Sequence, residues 1–191
     1  MLPTVMLLSP ANLSGRRGHL LLDSAARFEL ARALRSAQGA PLGDVFSFVS
    51  GLYFRGKREY ARAFARPPEG VAGGLVMTAG GGLCPLDEHV SAERMQRWAS
   101  VSIDERNPHF TAPLLRHASE LLEACPGATR FVLLGSVATN KYVAPLLEVF
   151  GERLFYPRDF KGRGDMSRGS LMLAAAREQR ELEYQPVAGA P

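Results

Sequence analysis

Apolar residues along this chain fall into two kinds of run. TVMLLS, GGLVMTAGGG and RFVLLGS are short, do not alternate with polar residues, and stop at glycine or a polar side chain. Such runs predict strands buried on both faces, as in a parallel sheet. RLFYP is a weaker fourth run of the same kind. Between them the apolar spacing becomes helical. DSAARFELARALRSAQG opens at a capping residue, Asp23 or Ser24, and ends at Gly39, with Phe28, Ala31 and Leu34 on one stripe. GKREYARAFARPP runs until its proline pair stops it. TAPLLRHASELLEACPG, NKYVAPLLEVFG and SRGSLMLAAAREQRELEY supply three more helices, and Trp98 and Phe110 read as core residues.

Alternation of strand and helix predicts an α/β fold: a three-layer, doubly wound sandwich with a mainly parallel central sheet. One domain is expected over residues 1–184, with 185–191 as a flexible tail. In open parallel sheets ligands bind beyond the carboxyl ends of the strands. Four segments follow the four strands, SPANLSGRRG, TAGGGLCPLDEH, GSVATNKY and PRDFKGRGDMSRG. They are expected to converge, with Asn12, Gly80, Ser136 and Arg163 bordering one concave face.

The chemistry of these segments favours an anion. Ser9, Asn12 and Ser14 offer donors and acceptors, and Arg16 carries a guanidinium fork suited to phosphate or carboxylate. Ser136, Thr139 and Lys141 flank a strand-to-helix junction, where first-turn amides attract negative charge. Plain N-capping by Ser136 or Thr139 is the simpler reading. In the last segment Lys161, Arg163 and Arg168 are cationic, and Gly162, Gly164 and Gly169 let backbone approach a ligand. Ser167 is a further candidate contact. Asp165 is a candidate orienting group, helix cap or base, and Asn12 and Asp165 are the candidate catalytic residues.

Composition adds one oddity. Of 23 Lys and Arg residues only Lys57, Lys141 and Lys161 are lysines, and each lies in a glycine-rich or polar motif. Lys57, in GLYFRGKREY, is expected at a helix start, where a cation opposes the helix dipole and so suggests an anion site. The 191 residues, 46% of them hydrophobic, suffice for one folded core, and a net charge of +4 permits a polyanionic partner. Cys84 and Cys125 lack metal-ligand spacing and read as reduced thiols of a cytoplasmic protein. No metal, cofactor or membrane association is expected, and His19 is the histidine best placed for proton transfer.

Three of these stretches also carry a resemblance. VMLLSPANLSG resembles the opening strand and loop of the YaaA peroxide-stress family. GLVMTAGGGLCPLDEHV is similar to a segment shared by that family and the catalytic domain of archaeosine synthase. RFVLLGSVATNKYVAPLL resembles the strand-glycine-helix unit of the uracil-DNA glycosylase-like superfamily. GLYFRGK and GRGDMSRG resemble strings of a bacterial subfamily, which implies no reaction. The resemblance covers roughly residues 5–18, 74–90 and 130–150. It implies a uracil-DNA glycosylase-like domain whose rim meets a nucleobase or nucleic acid. A glycosylase of this superfamily has a water-activating Asp or Asn in its first motif and a His-Pro-Ser loop near its end. This chain has Asn12 but no such histidine.

Three functions follow as expectations: a nucleobase-directed enzyme acting on a modified or damaged base, a non-catalytic DNA-binding stress or damage-response protein, or an enzyme of a free nucleotide or other small anion. The partner expected throughout is nucleic acid or a nucleotide.

Overall fold

The structure, a computed structural model, describes residues 2–189. The chain runs β1 (Thr4–Leu8), α1 (Arg16–Leu22), α2 (Glu29–Arg35), β2 (Ala40–Pro41), α3 (Leu42–Ser50), α4 (Leu52–Phe64), β3 (Gly74–Thr78), β4 (Gly82–Pro85) and β5 (His89–Val90). It continues through α5 (Ala92–Ala99), α6 (Pro108–Ala124), β6 (Arg130–Leu134), α7 (Asn140–Phe150), β7 (Leu154–Pro157), α8 (Asp165–Arg177) and β8 (Tyr184–Pro186). The fold is α/β around a six-stranded sheet ordered β4-β3-β1-β6-β7-β8.

The four apolar runs form the parallel middle of that sheet. β1 pairs in parallel with β3 on one side and with β6 on the other, and β6 pairs in parallel with β7. Every residue of β1 is buried, which is why the run shows no alternation. The edge strands β4 and β8 are antiparallel. On this sheet α4 rests against β1 and β3 and packs along α8, with α3 beside it. A second group, α6 with α7, packs on β3, β4 and β7. The arrangement is that of a three-layer sandwich.

Several expectations need correction. TAGGGLCPLDEH is not a loop: Thr78 Oγ1 accepts from Gly81 N at 2.9 Å and donates to Gly82 O at 3.0 Å, closing a tight turn into β4. The helix expected from Asp23 begins only at Glu29, because Asp23 Oδ1 closes a local turn by accepting from Ala25 N. The last helix stops at Arg177, and Gln179 takes a left-handed φ of 52° that ends it. The tail expected from residue 185 is strand for its first part, since Tyr156 pairs with Gln185 and Val187 N donates to Leu154 O. Residues 190 and 191 lie outside the described residues.

Two glycines set how closely α4 and α8 meet. A Cβ on Gly56 would lie 2.5 Å from Gly169 O, and one on Gly169 would lie 2.9 Å from Leu52 O. Gly169 therefore serves helix packing, not the approach of a ligand. Gly56→Ala or Gly169→Ala should cost about 1–3 kcal/mol through overpacking, in spite of better helix propensity. Gly127→Ala, with nothing within 4 Å of its Cβ, should stay within about 0.5 kcal/mol of the parent. Urea denaturation of the three variants checks both expectations.

Candidate active site at the ends of the central strands

The chain winds from β1 outward to β3 on one side and later to β6 and β7 on the other. The segments leaving β1 and β6 therefore diverge and open a crevice between them, the usual ligand position in such sheets. A cavity of about 820 Å³ lies there, lined from the first segment by Ser9 to Ser14 and from the third by Ser136, Thr139, Lys141 and Tyr142. Ala79 at the end of β3, Tyr53 of α4, Trp98 of α5 and Asp165 of α8 complete much of the wall. Its volume is within the range of small-molecule sites.

Ser9 forms the floor. It is the residue after β1, and its N–H donates to Leu134 O at 3.2 Å, extending the β1–β6 ladder by one bond. Gly135 makes room for it, since a Cβ there would come within 3.0 Å of Ser9 Cβ. Beneath Ser9 lies Lys57, with no exposed surface. Lys57 Nζ donates to Ser9 O at 2.7 Å and is 2.9 Å from Ser9 Oγ. The rings of Tyr53 and Phe54 lie 4.1 and 5.0 Å from it. Among the described residues no carboxylate forms a salt bridge with it. Burial pulls its pKa from 10.5 down to about 7, the Asp165 charge opposing that shift and the Arg168 charge adding to it.

Tyr53 stands one helical turn before Lys57, on the same face of α4. Its hydroxyl lies beside Ser9 and Arg168, yet it is buried and makes no well-formed hydrogen bond. Burial raises its pKa, and the Asp165 charge adds to the rise. Arg168 is itself buried: its Nε donates to Phe160 O at 3.2 Å, and it reaches Asp165 Oδ1 at 3.5 Å. The Asp165 side chain is 65% exposed at the cavity edge.

Aromatic rings make up much of the remaining wall. Trp98 is set by α5, whose first turn is capped by Ser91 Oγ accepting from Arg94 N. Its indole lies over the glycine turn after β3: a Cβ on Gly81 would come within 2.5 Å of the ring, and one on Gly80 within 3.3 Å. The Arg94 guanidinium covers the ring from 4.6 Å and pairs with Glu88. Across the cavity Tyr142 is buried, its hydroxyl pKa pushed up to about 12, first by burial and then by Tyr53 and Asp165. Lys141 Nζ sits 5.0 Å from the Tyr142 ring centre. Thr139 holds the N-cap position of α7 without capping it, and Ser136 Oγ accepts from Ala138 N.

Comparison with known proteins gives no match. No family model, no curated protein and no solved structure matches this chain.

The geometry brings together Ser9, Asn12, Ser14, Ser136, Thr139, Lys141 and Asp165 from three of the four segments, and the second segment reaches the cavity through Ala79 alone. Gly80 supports it from behind Trp98. Other expected residues lie outside the wall. Arg16 and Lys161 are exposed elsewhere, Arg163 donates to Ser167 Oγ at 3.0 Å, and Arg168 is a buried structural cation. His19 is exposed on α1 and does not line the cavity. Lys57 is in the body of α4, not at a helix start, because α4 begins at Leu52. Being sealed from solvent, it is separated from the cavity by Ser9 and Tyr53, which line it. Tyr53, Tyr142 and the cavity-facing side of Trp98 were not among the expected site residues. A signal for Tyr53 was present: Tyr53 and Lys57 are four apart in GLYFRGK and share a helix face. Among the described residues no three of His, Cys, Asp and Glu gather as a metal site, and no helix is long and apolar enough to cross a membrane.

The depressed pKa of Lys57 has a definite sign in stability. Between about pH 7 and the unfolded value of 10.5 the unfolded chain binds the extra proton, so stability rises with pH across that window. The slope approaches about 1.4 kcal/mol per pH unit for one group. Tyr60 and Tyr142, both raised to about 12, reverse the trend above about pH 10 as unfolded tyrosines ionise. Lys57→Met should flatten the rise, and denaturant midpoints from pH 7 to about pH 9.5 check this.

Proposed function

We propose that the cavity binds the base of a nucleotide or of an unstacked nucleic-acid strand. One observation carries the reading. Tyr53, Trp98 and Tyr142 line the same pocket as the hydroxyls of Ser9, Ser14, Ser136 and Thr139, with Lys141 among them. Aromatic faces stack on a planar ring, hydroxyls serve its polar edge, and a lysine suits an attached phosphate. The resemblance of the β1 segment to the YaaA family and of the β6 segment to the uracil-DNA glycosylase-like superfamily supports the same class of ligand. Lys161 and Arg163, exposed on the segment that carries Asp165, favour a longer polyanion over a mononucleotide.

Trp98 is the single tryptophan of the chain and lines the cavity, so it reports on binding directly. Titration with nucleosides, nucleoside monophosphates and a short single-stranded oligonucleotide should quench its fluorescence in a saturable way. Tyr142→Leu should weaken that binding by about 1–3 kcal/mol, the usual value of one stacking partner. For the oligonucleotide, Lys161→Ala and Arg163→Ala should each make the log-log salt dependence shallower by about 0.7. Absence of quenching by every probe up to about 1 mM would remove the reading, since binding weaker than about 4 kcal/mol is not a built site.

A further inference from the structure

The cavity floor holds an arrangement that base binding alone does not require. Ser9 lines the cavity, its hydroxyl oxygen lies 2.9 Å from the Lys57 amine and donates to Leu134 O at 3.4 Å, and the Tyr53 hydroxyl beside it makes no well-formed hydrogen bond. We propose that Ser9 is a nucleophile whose proton is taken by Lys57, and that the site acts on a carbonyl substrate of the ester, thioester or amide class. The inference goes beyond base binding and does not depend on it.

Geometry assigns the roles. Lys57 cannot attack a substrate itself, because it is enclosed and Ser9 stands between its amine and the cavity. Ser9 can, because it lines the cavity at the end of a rigid buried strand. As an ammonium, Lys57 donates to both Ser9 oxygens. As a neutral amine it keeps one bond to Ser9 O and turns its lone pair toward Ser9 Oγ, whose hydrogen swings onto it from its weak 3.4 Å bond to Leu134 O. The bond to the backbone carbonyl thus holds the amine in line in either state. The surroundings favour the neutral state: no carboxylate pairs with Lys57, and burial disfavours its charge. The charged and titratable groups facing it are Tyr53 from its own helix and Asp165 and Arg168 from α8. Asp165 favours the ammonium and Arg168 the amine.

The step balances without a co-reactant other than water. Ser9 Oγ bonds to the carbonyl carbon as its proton passes to Lys57 Nζ, and the carbonyl π pair moves onto oxygen. The Tyr53 hydroxyl, which makes no well-formed hydrogen bond, is the nearby donor for that oxyanion. As the carbonyl re-forms, the bond to the leaving alcohol, thiol or amine breaks, and the leaving group takes a proton from water in the cavity. The hydroxide so formed adds to the acyl-serine, and as that adduct collapses to the acid the released Ser9 oxygen recovers its proton from Lys57 Nζ.

A fluorophosphonate probe tests the pair without knowledge of the natural substrate. Serine attack forms an O–P bond and expels fluoride, and the serine proton goes to the base. The full chain should take up one adduct, and peptide mass mapping should find it on Ser9 and not on Ser14, Ser50, Ser100, Ser102 or Ser136, which line the same cavity. The labelling rate should rise with pH about a midpoint near 7. Lys57→Met, confirmed as folded by its circular dichroism, should label about 10²–10⁴ times more slowly, the range a positioned base contributes. Lys57→Arg, which keeps the charge but stays protonated, should be equally slow. Tyr53→Phe should label more slowly while keeping the pH midpoint. Labelling of folded Lys57→Met at the parent rate, an adduct spread over the other serines, or no adduct on the parent protein between about pH 6 and pH 9 would each overturn the proposal. Base binding, read from Trp98 fluorescence, can stand or fall apart from any of these results.

Discussion

The contact between Gly56 and Gly169 is the constraint on which the site depends. Two helices meet there at backbone distance, with no side chain between them. That approach carries the first turn of α8 onto the face of α4 that bears Tyr53 and Lys57. Asp165 and Arg168 become electrostatic neighbours of both residues only because of it. With larger residues at the crossing, the two charges would move outward and the lysine would lose the wall that seals it. A packing requirement therefore sets the electrostatics of a cavity whose edge is several residues away.

Lys57 illustrates how burial alters a side chain's chemistry. On a surface it would be a hydrated cation, useful as a point charge. Enclosed by Tyr53, Phe54 and the end of β1, it keeps two oxygen partners and no countercharge. Desolvation lowers the stability of its charged form by more than the neighbouring Asp165 restores. Arg168 is buried nearby under different terms. Its guanidinium spreads its charge over a carbonyl, a carboxylate and the Phe160 ring, so it remains a fixed strut.

The parallel middle of the sheet was legible in the sequence because strands buried on both faces leave an unbroken apolar run, plain in β1, β3 and β6 and weaker in β7. β4 was not, since GLCP is short and framed by glycine and proline, the residues of loops. α5 escaped attention although Ser91 at its cap and Met95 and Trp98 on one stripe announced it. α8 was read too long because its polar end keeps helical composition, and a left-handed Gln179 is not a residue that propensity marks as a stop. At the site, the segments following the strands were legible from topology alone. The walls supplied by α4, α5 and α7 were not, because an aromatic residue has the same spacing whether it faces a core or a ligand. The cation-rich stretch near the end of the chain drew the eye for its charge. Its residues divide between solvent, a helix crossing and one carboxylate at the cavity edge.

The central position of β1 also governs how the molecule is assembled. β1 leaves the ribosome well before either neighbour, since Leu8 must wait for Val76 on one side and Leu134 on the other. Until residue 134 has emerged, the apolar run Val5 to Leu8 has a free edge that would pair with any strand offered. Parallel pairing across such separations is slow, because the chain loses the entropy of a long loop before a ladder bond forms. The nascent protein is therefore at its most aggregation-prone during the synthesis of its middle third. An expression host that supplies more chaperone should recover more soluble chain, with no change in the stability of the finished fold.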